Sequence, residues 1–318
     1  MLNEAVPKQA SEAPAVSAEN WLIISVLGVV WGSSFLLTEV ALKGITPLWL
    51  AAGRVVIAAL LTTFVWGLYG WRLHLSTERH WGTLFFFGLL SATLPFQFLS
   101  WGQQHVTSAF AGVSMASVGL IILPLAHIML PNEKITLPRF LGLLVGFVGI
   151  LILFGQQSFT STDDPLETLG RVACLLAAMC YALSSVLLKR LPPIDRIGVA
   201  ALPLIMGAFL IVANAWVFEG APPAVDFNTA MIILLLAAFP TALANLLRIK
   251  VIRSAGPVFM SLVSYLVPVW CVVLGVFVLG ETMTPSLIIA LVVILGGIAV
   301  TQWDELRRLI NKSRNAIK

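Results

Sequence analysis

The 318-residue chain has little charge and few of the residues on which soluble catalytic proteins depend. Only 11% of its residues are charged, against roughly 25% in a soluble domain, and 59% are hydrophobic. Its 3 Cys and 4 His do not form a Cys-x-x-Cys pair or a cluster with zinc-site spacing. These features exclude a water-soluble enzyme, a disordered chain and a nucleic-acid-binding protein. We expect neither a disulfide, nor a metal, nor another cofactor.

The sequence also lacks the motifs of ATP-driven and hydrolytic membrane proteins. It has no Walker A motif, no Gly-x-Ser-x-Gly elbow, no His-Glu-x-x-His motif and no paired Asp residues inside its apolar runs. The chain therefore cannot use ATP directly, and a membrane-embedded enzyme is the weaker alternative. No segment is long enough for a soluble signalling domain, which argues against a receptor.

Long apolar runs dominate the sequence. A helix needs about 20 apolar residues to cross a bilayer. Ten such runs are present, and short connections with Gly and Pro separate them, so the sequence predicts an all-α membrane protein with ten transmembrane helices. The predicted spans are Trp21–Leu42, Pro47–Leu68, Trp81–Gln103, Ala109–Leu130, Leu137–Phe154, Leu169–Leu188, Ile197–Phe218, Ala230–Ile249, Pro257–Leu279 and Ser286–Thr301.

The basic residues predict the orientation. If the N-terminus is cytoplasmic, the cytoplasmic segments hold 16 Lys and Arg and the opposite segments hold 2, Lys43 and Arg171. Cytoplasmic loops of membrane proteins are enriched in Lys and Arg, so both termini are predicted to be cytoplasmic, in a multi-pass protein of the cell inner membrane. We expect residues 1–20 to be a disordered cytoplasmic tail. Residues 302–318 are predicted to form a basic amphipathic helix on the cytoplasmic leaflet.

Two halves of the chain resemble each other. Trp31 and Ser34 match Tyr181 and Ser184 at an offset of 150 residues. Further matches follow in order at an offset of 148: Thr93 with Thr241, Gln97 with Asn245, and Glu133 with Glu281. Residues 21–155 and 169–301 would each contribute five spans, and basic residues alternate between equivalent loops. The prediction is two inverted five-helix repeats, which is a transporter architecture with the substrate near the midplane.

Several short motifs resemble those of a known family. Trp31-Gly-Ser-Ser-Phe35, Gly44-Ile-Thr-Pro47 and Arg54 resemble the start of an EamA-type repeat of the drug/metabolite transporter superfamily. Asn132-Glu-Lys-Ile-Thr136 and Gly280-Glu-Thr-Met-Thr284 resemble a later part of the two repeats. The resemblance implies secondary transport of small metabolites by alternating access, often export, without implying one substrate. The family often has Lys where this chain has Glu39.

Polar and aromatic side chains inside the apolar runs are the candidate pathway residues. Gln97 and Asn245 are favoured, because a primary amide needs several partners and the two are equivalent in the repeats. Trp31 and Tyr181 could line a pathway or pack helices, and each Ser could simply bond the preceding turn. The predicted substrate-binding residues are Trp31, Ser34, Phe35, Gln97, Trp101, Tyr181, Ser185, Asn245, Tyr265 and Trp270.

The charges near the spans lead to three further expectations. Glu39 and Arg54 lie at similar depths on neighbouring helices, which predicts an ion pair, with proton coupling through Glu39 as the alternative. Glu133 and Glu281 each precede a helix and are expected to cap it rather than gate a pathway. Gly142, Gly146 and Gly149 would allow close helix packing, with a homodimer face as the lesser alternative to a monomer.

With Glu39 and Arg54 neutralised, the pathway would carry no net charge. This favours a small neutral or zwitterionic metabolite, such as an amino acid or aromatic compound, over a phosphate ester. Export is the expected direction, and import of a related metabolite is the alternative.

Overall fold

The computed structural model describes residues 17–71, 81–129, 135–155, 164–191, 195–255, 260, 262–282, 284–301 and 303. Most of the expected N-terminal tail, most of the expected C-terminal amphipathic helix, and Glu133 lie outside these residues. The described part of the chain is helical with short connections, and no strand occurs in it.

The helices follow the apolar runs of the sequence. They are α1 Ala18–Ala41, α2 Pro47–Leu68, α3 Trp81–Gly102, α4 Ser108–Met129, α5 Leu137–Gly155, α6 Glu167–Arg190, α7 Arg196–Glu219, α8 227–254, α9 Val263–Leu279 and α10 Pro285–Thr301. Helices α1–α4 and α6–α8 are long and apolar enough to cross a membrane. Helices α5, α9 and α10 contain shorter apolar stretches.

The helix starts are set by local capping. The Ser17 side chain accepts a hydrogen bond from the Asn20 N–H, so α1 begins at Ala18, three residues before the predicted span. Asp195 and Asp226 cap α7 and α8 in the same way. Pro47 occupies the first turn of α2, where its missing N–H removes no helical bond.

Contacts between connecting segments define the two ends of the bundle. Gly44 approaches Thr229, Glu219 binds Thr46, and Glu281 binds Ser108. These contacts place residues 42–46, 103–107, 220–226 and 280–282 together at what we call end A. At end B, the Ser254 hydroxyl is 2.6 Å from Asn20 Oδ1, which joins the end of α8 to the start of α1.

The two halves are packed into each other rather than side by side. Helix α1 packs against α9, and its repeat-equivalent α6 packs against α4. Helix α3 likewise packs against α6, as α8 does against α1. Each of these contacts between the halves has its counterpart under exchange of the repeats, which is the pattern expected for a pseudo-twofold relation.

Helices α5 and α10 pack through glycine, as the glycine spacing predicted. A Cβ placed on Gly297 of α10 would lie 2.4 Å from the Gly146 nitrogen of α5 and 2.6 Å from its Cα. The two backbones therefore touch directly, which only glycine permits. The other faces of α5 expose large apolar side chains such as Phe140 and Phe147, consistent with a peripheral helix.

Candidate functional site

Two π-helical segments interrupt equivalent helices of the two halves. Residues Leu89–Thr93 of α3 and Ala237–Leu243 of α8 are π-helical, and their starts are 148 positions apart, the repeat offset. A π-helical turn is wider than an α-helical turn and occurs frequently at functional sites. The repeat match of Thr93 with Thr241 is thus a match of local structure as well as of sequence.

Side-chain groups donate hydrogen bonds to carbonyl groups of the second π segment and of the residue before it. The Thr241 hydroxyl donates to the Leu236 carbonyl at 2.8 Å. The Trp31 indole N–H of α1 donates to the Pro240 carbonyl at 2.9 Å. Trp31 therefore joins the first helix of one half to the π segment of the other, since buried backbone acceptors need partners.

Arg54 of α2 also reaches this π segment. Its Nε–H donates to the Thr241 hydroxyl at 2.8 Å, and its guanidinium carbon lies 4.3 Å from the centre of the Phe96 ring. The side chain is 8% exposed. Phe96 in turn meets Tyr181 edge to face, with ring centres 6.5 Å apart. Residues from α2, α3, α6 and α8 thus converge at one place between the halves.

Two cationic side chains share Tyr181 as a neighbour. The Tyr181 hydroxyl interacts electrostatically with Arg54 and with Arg248 of α8. Tyr181 is half-buried in the described structure. Arg248 lies within the helical stretch Ala244–Ser254, one turn after Asn245. The basic residue nearest the end of the predicted eighth span therefore belongs to the surroundings of the site.

Buried polar atoms without partners lie on α3 in the same region. Gln97 is 9% exposed; its Oε1 accepts a hydrogen bond from Asn214 of α7 at 3.4 Å, and its Nε2 has no partner among the described residues. The Thr93 hydroxyl, one helical turn earlier, is 1% exposed and also lacks a partner there. Unsatisfied buried polar atoms are rare and each needs an explanation, a bound ligand being one.

The remaining predicted site residues differ in their surroundings and in whether their polar atoms have partners. Ser34 and Ser185 donate to the carbonyls of Trp31 and Tyr181 on their own helices, at 2.7 and 2.8 Å, so their hydroxyls are satisfied locally. Phe35 is buried in the core formed with α4 and α9. Asn245 is half-buried, and the buried Tyr265 hydroxyl has no partner in the described part of the chain.

The described contacts of Trp270 and Trp101 are made with residues other than those of the convergence point. Trp270 packs on α1, where a Cβ on Gly32 would be 2.6 Å from its Cβ. The Trp101 ring packs against His105 at a tilt of 59°, with ring centres 4.7 Å apart. The His105 Nδ1 is 2.8 Å from Asp164 Oδ2, and hydrogen bonding to His105 lowers the pKa of Asp164. A groove of about 490 Å³ between α3, α4 and α6 holds none of the predicted site residues.

The structure does not bring Glu39 and Arg54 together, so the predicted ion pair is not formed. Glu39 Oε2 accepts the Ser108 N–H of α4 at 3.1 Å, and Glu281 Oε1 accepts the same N–H at 2.9 Å. Because both distances start from one nitrogen, the two carboxylate oxygens are at most about 6 Å apart. Arg54 turns instead to Thr241 and Phe96. Arg54 finds its partner in the other half of the chain, and Glu39 finds its partner on α4. A comparison of neighbouring helices cannot anticipate either contact.

Glu281 caps a helix other than the one predicted. It binds the first turn of α4, whereas the Thr284 hydroxyl accepts the Leu287 N–H at 3.3 Å and caps α10. The reason is a left-handed turn at Gly280, with φ 69°, after which the Glu281 N–H bonds back to Gly275. This turn directs the carboxylate toward α4.

Sequence reasoning missed three members of the site. Phe96 lies in an apolar run and has no polar atom that distinguishes it, although it directly precedes Gln97. Asn214 is a primary amide inside an apolar span and could have been found by that criterion alone. Arg248 belongs to a basic segment, and its charge served only to predict the orientation of the chain in the membrane.

Comparison with known families agrees with this two-repeat architecture. The model of the EamA-like transporter family matches residues 20–155 and 168–303, most of the chain in two successive repeats. The chain belongs to the EamA-like transporter family. This EamA-like protein is therefore a membrane transporter of the drug/metabolite transporter superfamily, as its sequence motifs indicated.

Comparison with solved structures supports the fold of this EamA-like transporter. The crystal structure of an otherwise unspecified protein aligns with a TM-score of 0.64 at 20% sequence identity, over 91% of this chain and 98% of that chain. At this identity the likeness concerns the fold alone. Comparison with curated proteins gives no match.

Proposed function

We propose that this EamA-like transporter is a secondary transporter that exports a small neutral or zwitterionic metabolite, an amino acid or aromatic compound, by alternating access. The observation that carries the proposal is the pair of equivalent π segments. They lie where helices of the two halves meet, and the polar residues around them are buried and in part unsatisfied. Family membership supports transport as the class of function.

The proposed orientation places end A outside the cell and both termini in the cytoplasm. The 16-to-2 distribution of Lys and Arg supports it. In this orientation Glu39 and Glu281 gather near the outer surface of the inner membrane, and the basic residues of end B face the cytoplasm. A pathway between the halves would run from end B past the π segments to end A.

The chemistry of the convergence point supports a compact solute with both polar and apolar parts. Phe96, Tyr181 and Trp31 offer aromatic faces, and Gln97 offers an amide with an unused donor. Asn245 occupies the equivalent position on α8. Such a site holds polar groups by directed hydrogen bonds and packs an apolar group against the rings.

Competition for uptake into liposomes tests this proposal. Purified protein is reconstituted, and neutral, zwitterionic, cationic and multiply anionic solutes compete with a labelled amino acid. We expect neutral or zwitterionic competitors to be effective, and Gln97→Ala and Asn245→Ala to weaken that competition. Gln104→Ala, which removes an exposed amide near end A, is the matched control. Preferred transport of a multiply charged anion, unaffected by either site variant, would contradict the proposal.

A further inference from the structure

Two buried arginines in this protein each lie near a phenylalanine ring, but they differ in whether a carboxylate is paired with them. Arg171 is 2% exposed, lies 5.2 Å from the Phe110 ring centre and forms an ion pair with Glu167 one turn away. Arg54 is 8% exposed and lies 4.3 Å from the Phe96 ring centre. No described carboxylate is paired with Arg54. Arg54 is therefore a buried cation for which the described chain supplies no counter-charge.

An unpaired guanidinium inside a membrane protein is energetically costly. Buried charges are normally paired, and intramembrane ionisable residues mark functional sites. A guanidinium carries five N–H donors in a planar fork that suits a carboxylate. Among the described residues, only the Nε donor has an acceptor, the Thr241 hydroxyl at 2.8 Å. The donors on the two terminal nitrogens remain for a ligand.

The surroundings of Arg54 are suited to an anion rather than a cation. Tyr181 interacts electrostatically with both Arg54 and Arg248. Gln97 adds a buried Nε2 donor without a partner in the described structure. Glu39 and Glu281 are held at end A by the Ser108 N–H, away from this cluster.

Among the residues that the structure describes, the cationic position occurs in one of the two repeats. In the first half, Arg54 of α2 meets Thr241 in the π segment of α8. In the second half, Gly207 of α7 lies against the π segment of α3. A Cβ added to Gly207 would lie 2.9 Å from the Thr93 hydroxyl oxygen. The pseudo-twofold relation therefore breaks at this point, and the described residues form one such site.

We propose that Arg54 binds the carboxylate of the transported solute, with Thr241 and Phe96 fixing its guanidinium. The inference rests on the proposed function and narrows its substrate class to amino acids, at the expense of uncharged aromatic compounds. One carboxylate supplies the single counter-charge that Arg54 lacks. Tyr181 and Gln97 would bind the remaining polar atoms of the solute.

Thermal unfolding of the purified full-length protein tests the inference without a transport assay. The probes are matched pairs that differ at the carboxylate: benzoate with benzamide, butyrate with butyramide, and phenylalanine with phenylalaninamide, all at equal ionic strength. A ligand that binds only the folded state raises the unfolding midpoint with concentration. We expect at least one carboxylate to raise the midpoint and its amide partner not to do so.

Variants assign that response to Arg54. Arg54→Gln should weaken carboxylate binding at least about tenfold, the effect expected for loss of a hydrogen bond between charged groups. Arg54→Lys should restore part of it. Arg171→Gln is the matched control: it breaks a buried ion pair and lowers the midpoint, but the carboxylate response should remain. If Arg54→Gln does not fold, Thr241→Val retains the cation and should weaken binding of the carboxylate selectively.

Several results would overturn the inference. These are equal stabilisation by acids and amides, no carboxylate of the set exceeding its amide, an undiminished carboxylate response in Arg54→Gln, or stronger binding of phenyl phosphate than of benzoate. Transport without carboxylate preference would overturn only the inference. Carboxylate binding without movement of any solute across liposomes would overturn only the proposed function.

Discussion

Glu281 and Ser108 lie 173 positions apart in the chain and are joined by two hydrogen bonds. The Ser108 N–H and hydroxyl donate to Glu281 Oε1 at 2.9 and 2.6 Å, and the Ala109 N–H donates to Oε2 at 3.1 Å. A carboxylate from the second half thus caps a helix of the first half. The free N–H groups and the dipole of α4 both favour a negative charge there.

Removal of this cap should destabilise the protein. Glu281→Ala removes the acceptor of the Ala109 N–H and of the Ser108 hydroxyl and leaves only Glu39 for the Ser108 N–H, so it should cost about 1–3 kcal/mol of unfolding free energy. The measurement is the unfolding midpoint in detergent. Glu281→Gln retains an acceptor oxygen and should cost less than the alanine variant.

The control for the cap is another glutamate. Glu19 pairs with Lys250 at 2.5 Å, but both side chains are more than half exposed, so Glu19→Ala should have little effect. Equal midpoints for Glu281→Ala and Glu19→Ala would show that the cap does not contribute to stability.

Adjacent glycines of α10 provide a test of helix packing. A Cβ on Gly297 would meet the α5 backbone at 2.4 Å, whereas one on Gly296 meets nothing within 4 Å. Gly297→Ala should therefore destabilise the protein by about 1–3 kcal/mol. Gly296→Ala should be neutral or stabilise by up to about 1 kcal/mol, because alanine has the higher helix propensity. Equal unfolding midpoints for the two variants would contradict the close α5–α10 contact.

The Asp226 cap predicts a pH dependence of stability. Hydrogen bonds from the Thr229 side chain and N–H hold the pKa of Asp226 below its ordinary value. Its contribution is therefore complete above the unfolded-state pKa of about 3.9 and is lost as the pH falls through the lower folded-state pKa. The midpoint of Asp226→Ala should lie below that of the wild type at pH 7, and the difference should shrink at low pH. A difference independent of pH would exclude this role.

Sequence patterns could predict the helices but not the partners of their charges. Apolar runs and caps indicated most helices within a few residues, and the glycine spacing on α5 correctly indicated close packing. Pro240 lies inside the second π segment and Pro95 lies two residues after the first, but a proline in an apolar run indicates an irregular helix without specifying a π turn. Arg54 binds Thr241 of the other repeat, 187 positions away, and Glu39 binds Ser108 of its own repeat, 69 positions away. Such distant contacts depend on the tertiary packing of helices that are far apart in the sequence.

Reporter fusions test the proposed orientation. Fusions within residues 102–107 and 219–228 should report the periplasm, and fusions at His74 and Arg253 should report the cytoplasm. In each pair, one fusion lies in the first half of the chain and the other lies in the second half. The four fusions therefore also test whether the two halves are inverted. A cytoplasmic signal from residues 102–107 or 219–228 would refute the inverted arrangement.

Solute counterflow in liposomes tests the central claim most directly. Purified protein is reconstituted into vesicles loaded with an excess of an unlabelled amino acid, and entry of the same labelled amino acid is followed with no ATP present. We predict transient accumulation of the label, its recovery without chemical change, and loss of accumulation in Gln97→Ala and Asn245→Ala. Absence of accumulation for every zwitterionic and neutral solute of the panel, or recovery of a chemically altered solute, would contradict the account.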